Sequence, residues 1–414
     1  MKRDYAQLLP YIFKKFSILS ARRTLLPTVK YYCSRKALPA SDKPALFTMN
    51  ILPPMATVWY EMVCRNLGDS VDIVIFDCSG KLNPKDFPRA KVQKFLNKYA
   101  ATKSDEFIQH IAKNRRIAWI CDDDMFPMSN KMLDVLKKEF NEPNTATVSF
   151  RPREWWHYQI DGKKYKPSSS YCIAFNRDIF WEKEKLSLAP CNGNEHPSLI
   201  GKPPNRYDTF DKANETLLEK GYRCYIVPKE EEDEYYAGFS GVSGAVMLLN
   251  HFKTPEQVIN YYLTPPKEAW SGNMLFGTLQ AMISISVIQE VYEKIKGHKY
   301  PLKSLPSREQ LEKILNDHKE YLRDDITDVN NIESSHFFVT LRAIPEAQPA
   351  EVISAGEFPI AFIYRVILEE MCLMSPIALK ILMEIPLLIS DGIICFQTNC
   401  SRIYHSFIQI ITMA

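Results

Sequence analysis

Short apolar runs alternate with amphipathic segments over the first part of this 414-residue chain. The runs are rich in aliphatic and β-branched residues and end at turns or acids; they are 45–52, 71–76 and 117–121. The segments between and after them have the spacing of helices, which we predict at 56–67, 88–99, 104–114 and 130–140. Strands that alternate with helices in this way predict an α/β sheet whose strands are largely parallel.

The middle of the chain adds further strands, which we predict at 145–152, 171–180 and 223–228, with a helix at 208–221. The glycine-serine segment 238–244, GFSGVSG, is expected to be either a mobile lid whose backbone N–H groups meet phosphate or a plain loop. From residue 254 onward the pattern is helical. The last 55 residues are very apolar but carry Lys380, Glu384 and Asp391, which favours packed helices or a membrane-facing surface over a membrane span.

Charge is distributed unevenly along the chain. Residues 1–47 carry a net charge of +8, so the remainder is about −5, because the whole chain is +3. Residues 5–20 are interrupted by Pro10 and two lysines, which argues against a signal peptide. They form either a basic amphipathic helix on an anionic membrane or a helix that packs on the body. We expect three regions, 1–44, 45–250 and 251–414, the last being a helical extension.

The composition narrows the functional class. With 46% hydrophobic and 24% charged residues, the chain is expected to be globular, and its near-neutral total argues against nucleic acid as the main partner. Ten cysteines include no C-x-x-C pair, so we expect reduced, buried thiols in the cytoplasm rather than disulfides. The histidines show no ligand spacing with cysteine, which argues against zinc.

Candidate chemistry lies where two predicted strands end. Asp77 ends the second apolar run, and the third run leads directly into Asp122, Asp123 and Asp124. Ligands of open α/β sheets bind beyond the carboxyl ends of the strands. Asp122 and Asp124, two residues apart, can converge on Mg²⁺ or Mn²⁺, and such a cation would bind the phosphates of a nucleotide. The alternative is a solvated acidic turn.

These strands also resemble a family. VDIVIFDCSG, then IAWICDDDMFP and the helix that follows are similar to the GT-A-fold glycosyltransferases, broadly of the family 2 type, over about residues 45–250. The resemblance implies a GT-A-like, Rossmann-type mixed sheet with flanking helices. In that family a D-x-D motif holds a divalent metal on the diphosphate of a nucleotide-sugar. It therefore implies that Asp122 and Asp124 bind Mn²⁺ or Mg²⁺. By the same resemblance, Asp77 contacts the nucleobase and Asp123 a sugar or ribose.

Three further sites are expected around this centre. A catalytic base is expected at Asp208 or Asp211, which open a predicted helix, so that one caps it while the other faces the cleft. His251 is a candidate third metal ligand, although a histidine in an apolar stretch is more often a core residue. Trp155 and Trp156 are a candidate platform for a sugar acceptor, the alternative being core packing of one ring and exposure of the other.

The sequence thus predicts a metal-dependent glycosyltransferase that uses a nucleotide-sugar donor and a carbohydrate or lipid-linked acceptor. It would be cytoplasmic, with or without a peripheral contact with the membrane. Two alternatives stay open: a nucleotidyltransferase with the same strand-end acids, and a non-catalytic GT-A-like binding protein. The first alternative would be favoured by glycine and basic residues after the first strand, but the loop NILPPMAT has neither.

Overall fold

The structure is a computed structural model, and it describes residues 5–152, 157–192, 206–239, 241–271, 273–321, 387–390 and 393–396. By its internal contacts the chain divides into two units. The first comprises residues 1–24 and 36–347, and the second comprises residues 25–35 and 348–414.

The helices and strands are numbered in chain order. The helices are α1 Tyr5–Cys33, α2 Pro53–Asn66, α3 Ala100–Glu106, α4 Lys131–Asn141, α5 Asp211–Glu219, α6 Glu232–Tyr235, α7 Val242–His251, α8 Pro255–Leu263, α9 Asn273–Lys296 and α10 Arg308–Asp317. The strands are β1 Ala45–Asn50, β2 Asp72–Asp77, β3 Ala90–Lys94, β4 Ile117–Cys121, β5 Met125–Pro127, β6 Thr145–Ser149, β7 Tyr158–Ile160, β8 Lys163–Tyr165, β9 Cys172–Asn176, β10 Cys191–Asn192, β11 Arg206–Tyr207, β12 Arg223–Ile226, β13 Tyr236–Gly238, β14 Leu387–Ser390 and β15 Ile393–Phe396.

A seven-stranded sheet forms the centre of the first unit, in the order β12-β6-β9-β4-β1-β2-β3. β4, β1, β2 and β3 run parallel, β12 is parallel to β6, and β9 is antiparallel to both of its neighbours. In this register Asn50 lies opposite Asp77, so the carboxyl ends of β1 and β2 meet at one edge of the sheet. The expected α/β fold, a Rossmann-type mixed sheet with flanking helices, is confirmed.

The strands of this sheet are buried because helices cover them. β1 and β2 are nearly continuous apolar runs, the pattern of parallel strands covered on both faces. α2 packs against α9, and α9 packs against α7. Residues of α9 and α10, such as Leu279 and Leu311, belong to the same buried cluster as Trp119 of β4. Part of the helical region after residue 250 therefore shares the core of the sheet.

The helix predicted at 88–99 is wrong, because residues Ala90–Lys94 form β3 at the edge of the sheet. Val92 alternates there with Lys91 and Gln93, which is the two-residue period of a strand, and β3 pairs with β2 along its whole length. The helix predicted at 104–114 begins earlier, as α3, and continues in a π-helical turn over Phe107–Ile111.

Residues 5–24 of α1 belong to the first unit and pack within it. Ile12 of α1 is 2% exposed and belongs to the main buried cluster. The Ser20 hydroxyl donates a hydrogen bond to the carbonyl of Cys78, in the loop after β2. Lys14 and Lys15 are exposed. Across the described residues, none of the helices contains an apolar stretch of the length that a bilayer crossing needs.

In the second unit, β14 and β15 form an antiparallel hairpin, with Leu387 opposite Phe396. The expectation of helix is wrong for these residues, which include Ile389, Ile393 and Ile394. Their β-branched side chains favour strands. The rest of the region after residue 321 lies outside the described residues.

Candidate functional site

The ends of β1 and β4 are joined by a buried hydrogen bond. The Asn50 Nδ2 group donates to Asp123 Oδ2 at 2.6 Å and also to the carbonyl of Leu52 at 2.7 Å. Asn50 is fully buried, and its Oδ1 has no hydrogen-bond partner among the described residues. An amide oxygen left without a donor in the interior is costly, so this atom is a candidate acceptor for a ligand.

The three aspartates after β4 lie in a tight turn. The N–H of Asp122 donates to the carbonyl of Tyr171 at 2.8 Å, and the N–H of Met125 donates to the carbonyl of Asp122 at 2.9 Å. Asp123 is 7% exposed, whereas Asp122 and Asp124 are half-buried. The backbone therefore holds three carboxylates at the carboxyl edge of the sheet, as the strand position predicted.

This cluster is electrostatically unfavourable when it is fully ionised. Burial raises the pKa of Asp122 to about 7, and the charge of Asp123 raises it in the same direction. Burial also raises the pKa of Asp123 to about 7, although the hydrogen bond from Asn50 opposes this. Burial, and then the charges of Asp122 and Asp123, raise the pKa of Asp124 well above its ordinary range. A cation bound here would relieve this repulsion.

A buried lysine lies beside the cluster. Lys103 of α3 is 3% exposed, and its Nζ lies 3.4 Å from Asn97 Oδ1 and 3.6 Å from Cys78 Sγ. Its ammonium lowers the pKa of both Asp122 and Asp123, so it acts on the two carboxylates as a nearby positive charge. A buried ammonium at a strand-end acid cluster is suited to binding phosphate oxygens.

The surroundings of Asp77 differ from those of the three aspartates after β4. Its carboxylate accepts hydrogen bonds from the Ser79 hydroxyl at 2.6 Å, the Gly80 N–H at 2.8 Å and the Leu82 N–H at 3.0 Å. Asp77 is fully buried. Its carboxylate therefore holds the loop of residues 78–82 in place. The predicted contact between Asp77 and a nucleobase stays a prediction.

The two candidate bases divide their roles. The side chain of Asp211 accepts a hydrogen bond from the Asp208 N–H at 2.8 Å and is buried at the start of α5. Asp208 is half-buried, and its Oδ1 accepts a hydrogen bond from the Tyr99 hydroxyl at 2.6 Å. The Thr209 hydroxyl donates in turn to the Tyr99 oxygen at 3.1 Å. The N-cap residue of α5 is Phe210, and no side chain caps it, so the predicted capping role is wrong for both aspartates. Asp211 instead holds the turn before the helix, and Asp208 is the one more open to a ligand.

Tyr99 and Lys103 connect the two groups of acids. Tyr99 immediately precedes α3, and Lys103 lies on its first turn. Residues four apart on a helix are neighbours, about 6 Å from each other. The short segment from Tyr99 to Lys103 therefore contacts Asp208 at one end and acts on the strand-end acids at the other.

The glycine-serine segment packs tightly against the acidic turn. β13 pairs with β5, and the N–H of Phe239 donates to the carbonyl of Asp124 at 3.1 Å. A Cβ at Gly238 would lie 2.9 Å from that same carbonyl oxygen, and one at Gly241 would lie 2.6 Å from the carbonyl oxygen of Gly277. Gly241 also has a φ of +85°. The described part of this segment is a strand and a helix start rather than an open loop; Ser240 lies outside the described residues.

His251 lies at the other end of α7 from this contact. Val242 to His251 spans ten residues, a rise of about 14 Å along the helix axis. The imidazole packs edge-on against the rings of Phe252 at 4.9 Å and Tyr11 at 6.1 Å. Burial, and then the charge of Lys15, lower its pKa. The structure therefore does not bring His251 next to Asp122 and Asp124.

Two predictions remain, the acceptor platform and the metal site. Trp155 and Trp156 lie outside the described residues. Within the ranges that the structure describes, no group of three or more His, Cys, Asp or Glu side chains is arranged so that it could hold a metal ion. Asp122 and Asp124 nevertheless fit Mg²⁺ or Mn²⁺ in donor chemistry, because such ions take carboxylate oxygens and complete their shell with water and substrate phosphates.

Three residues of the site were missed from sequence. Asn50 carried a usable signal, because it is a polar residue at the end of an apolar strand, the same signal that identified the aspartates. Tyr99 and Lys103 carried none. Their segment was predicted as the end of one helix and the gap before the next, and their roles depend on contacts with residues distant in the chain.

Comparisons with known proteins give remote structural similarity only. No protein-family model and no curated protein matches the sequence. The structure is similar to the mannosyltransferase PcManGT from Pyrobaculum calidifontis in complex with GDP-Man and Mn²⁺, with 12% identity and a TM-score of 0.32, over 77% of this chain and 94% of that one. It is also similar to a cytidylyltransferase from Leptospira borgpetersenii serovar Hardjo-bovis, with 11% identity and a TM-score of 0.30, over 52% and 88%. At these TM-scores neither similarity carries an argument about function.

Proposed function

We propose that the protein is a metal-dependent glycosyltransferase of the GT-A type, broadly family 2-like, that moves a sugar from a nucleotide-sugar to an acceptor hydroxyl. The observation that carries this proposal is the arrangement at the carboxyl edge of the sheet. There, the Asn50 side chain donates a hydrogen bond to Asp123, which stands between Asp122 and Asp124 in the chain. The charge of the buried Lys103 lowers the pKa of Asp122 and of Asp123. This edge is where open α/β sheets bind nucleotides.

Asp122 and Asp124 would hold Mn²⁺ or Mg²⁺. When bound, the cation would supply positive charge to the diphosphate leaving group. Lys103 would bind the same diphosphate by its ammonium, as a point charge with three donors. Asp123, oriented by Asn50, would accept a hydrogen bond from a sugar or ribose hydroxyl. Asp77 would act on the nucleobase through the loop that it holds.

The acceptor side is assigned to Asp208. In the transfer, a bond forms between the acceptor oxygen and the anomeric carbon, and the bond from that carbon to the phosphate oxygen breaks. The carboxylate of Asp208 would take the proton of the acceptor hydroxyl, and the nucleoside diphosphate would leave. Tyr99 would orient Asp208 through its 2.6 Å hydrogen bond, and Asp211 would hold the same turn by accepting a hydrogen bond from the Asp208 N–H.

A thermal-shift screen of nucleotide-sugars, with and without Mn²⁺, tests the donor site. We expect the melting temperature to rise with one class of nucleotide-sugar and Mn²⁺ together, because a ligand that binds only the folded state stabilises it. Asp124→Asn should abolish this shift. The absence of any Mn²⁺-dependent shift in the unmodified protein would contradict the proposal.

Product analysis then distinguishes the three functions. A glycosyltransferase releases a nucleoside diphosphate, or slowly hydrolyses the donor when no acceptor is present. A nucleotidyltransferase instead releases pyrophosphate from a nucleoside triphosphate and a sugar phosphate. Donor binding without turnover over a broad acceptor panel would favour the non-catalytic binding protein.

A further inference from the structure

The outward-facing side of α1 is unusual among the described surfaces. The large hydrophobic residues that the described part of the chain exposes are Tyr11, Phe13, Leu19, Leu26 and Leu263, and all but Leu263 lie on α1. Phe13 is 50% exposed and Leu19 is 39% exposed. Exposed apolar side chains concentrated on one helix mark an interaction surface, whereas single scattered ones do not.

The opposite side of the same helix is fixed in the protein. Ser20 is 3% exposed, and Thr24 is fully buried. The Ser20 hydroxyl donates to the carbonyl of Cys78, and the Thr24 hydroxyl donates to the carbonyl of Ser20 at 3.0 Å. The helix therefore cannot turn its exposed apolar residues inward without losing these contacts.

The exposed apolar residues alternate with cations. Lys14, Lys15, Arg22 and Arg23 are all exposed, and α1 contains no Asp or Glu from Tyr5 to Cys33. We define the α1 outer face as the exposed residues of α1 in the first unit that lie on the half of the helix turned away from Ser20 and Thr24, namely Tyr11, Lys14, Lys15, Leu19, Arg22 and Arg23. Aromatic and aliphatic groups beside several cations, with no acid among them, match the headgroup region of an anionic bilayer.

We propose that the α1 outer face docks the protein on an anionic lipid surface. Leu19 and the exposed part of the Tyr11 ring would enter the boundary between headgroups and acyl chains, and the four cations would bind lipid phosphates and carboxylates. Such a contact is peripheral. It is independent of the donor site, and so it would place the protein on a membrane whatever the reaction at the acidic turn.

Vesicle sedimentation with the full chain tests this proposal. We expect the protein to pellet with vesicles of phosphatidylcholine and phosphatidylserine but not with phosphatidylcholine alone, and to bind less as the salt concentration rises. Lys14→Gln/Lys15→Gln should weaken binding about 30-fold, which corresponds to about 1 kcal/mol for each lysine near the surface. The matched control is Lys137→Gln/Lys138→Gln, an adjacent exposed pair on α4, which should bind as the unmodified protein does.

The apolar part of the contact needs its own variant. Leu19→Ser should also weaken vesicle binding while leaving the melting temperature unchanged, because this side chain is exposed. These point variants are preferable to removing residues 1–40, since that deletion would take Ile12 out of the core and Ser20 away from Cys78.

Two results would overturn the proposal. Equal binding to neutral and anionic vesicles, or binding that Lys14→Gln/Lys15→Gln does not change, would exclude this surface as the lipid contact. If instead no vesicles are bound and light scattering shows a dimer that Leu19→Ser dissociates, the α1 outer face is an interface between two copies of the chain.

Discussion

β2 and β4 both lead into aspartate at the same edge of the sheet, with only β1 between them, but the carboxylates are used in opposite ways. Asp77, the last residue of β2, accepts three hydrogen bonds from the loop that follows it. The aspartates after β4 are crowded together, and Asp123 accepts its side-chain hydrogen bond from Asn50, on a different strand. Burial and mutual repulsion raise the pKa of Asp122 and Asp124.

Asp77 therefore stabilises the loop beside the site, whereas we propose that the carboxylates of the acidic turn bind a ligand. Satisfying buried donors stabilises a loop, whereas clustering like charges in a half-buried turn opposes folding. Side chains whose pKa values are strongly shifted by burial and by each other concentrate at functional sites. The comparison therefore points to Asp122 and Asp124 as the groups that act on a ligand, and to Asp77 as the group that shapes the surface beside it.

The largest expected effect is the loss of sugar-transfer rate when a carboxylate of the acidic turn is removed. Asp124→Asn should lower the rate about 1,000-fold, because several kcal/mol of charge stabilisation at the leaving group would be lost. The melting temperature of the metal-free variant should stay unchanged or rise, since the repulsion from Asp122 and Asp123 is removed. Initial rates and melting curves measure both effects, with Asp134→Asn on the exposed side of α4 as the control. A fully active Asp124→Asn variant would exclude Asp124 as a metal ligand.

Substitution of Asp77 should mainly lower the stability of the protein, in contrast to substitution of Asp124. Asp77→Ala should lower the free energy of unfolding by about 3 kcal/mol, since three donors lose their acceptor at roughly 1 kcal/mol or more each. Asp77→Asn keeps one acceptor oxygen and should be affected less. Urea denaturation provides the measurement. If Asp77→Ala instead has normal stability and only a raised KM, the carboxylate contacts the nucleotide directly.

The pH dependence of stability should show the strain of the acidic turn. The pKa of Asp123 is about 7 in the folded protein, against 3.8 for an ordinary aspartate, so the folded state binds the proton more tightly. This stabilisation is complete below about pH 4 and is lost as the pH rises towards 7, by an amount on the order of 4 kcal/mol. Denaturation of the chelator-treated protein from pH 4 to 8 measures it. Asp123→Asn should flatten the curve, and an unchanged slope would contradict the assignment.

The smallest expected effect concerns the lysine beside the cluster. Lys103→Met should raise the KM for the nucleotide donor about tenfold, the loss of one charge-assisted hydrogen bond. The matched control is Lys98→Met, because Lys98 lies five residues earlier in the chain and burial lowers its pKa to about 8, while the charge that opposes this shift is that of Glu106 rather than of the aspartates. Equal changes in both variants would mean that Lys103 acts through packing alone.

The strand-end acids were predictable because local pattern decides them. A five-residue apolar run must enter the core, and the polar residues that follow it must then lie at the edge of the sheet. The same logic would have identified Asn50. The turn at Asp161-Gly162, between β7 and β8, was also readable, since that dipeptide favours the positive φ values of 49° and 76° found there.

Other features depend on contacts that no local pattern contains. β3 is a short edge strand with lysine and glutamine among its five residues, and its pairing with β2 overrides the weak helical spacing. The difference between Asp77 and Asp123 also could not be read from sequence. Both follow apolar strands, and only the fold of residues 78–82 shows which carboxylate is already engaged.

The packing of α1 has a consequence for how the protein is synthesised. Its inner side contacts the loop at Cys78, and Tyr11 packs against His251 at the end of α7. The end of α7 follows the end of α1 by roughly 220 residues, which a ribosome needs about 10–40 s to translate. During that time a basic, apolar helix is outside the ribosome without one of its partners. Nascent chains would therefore expose this helix to lipid or chaperone surfaces before the sheet on which it packs is complete.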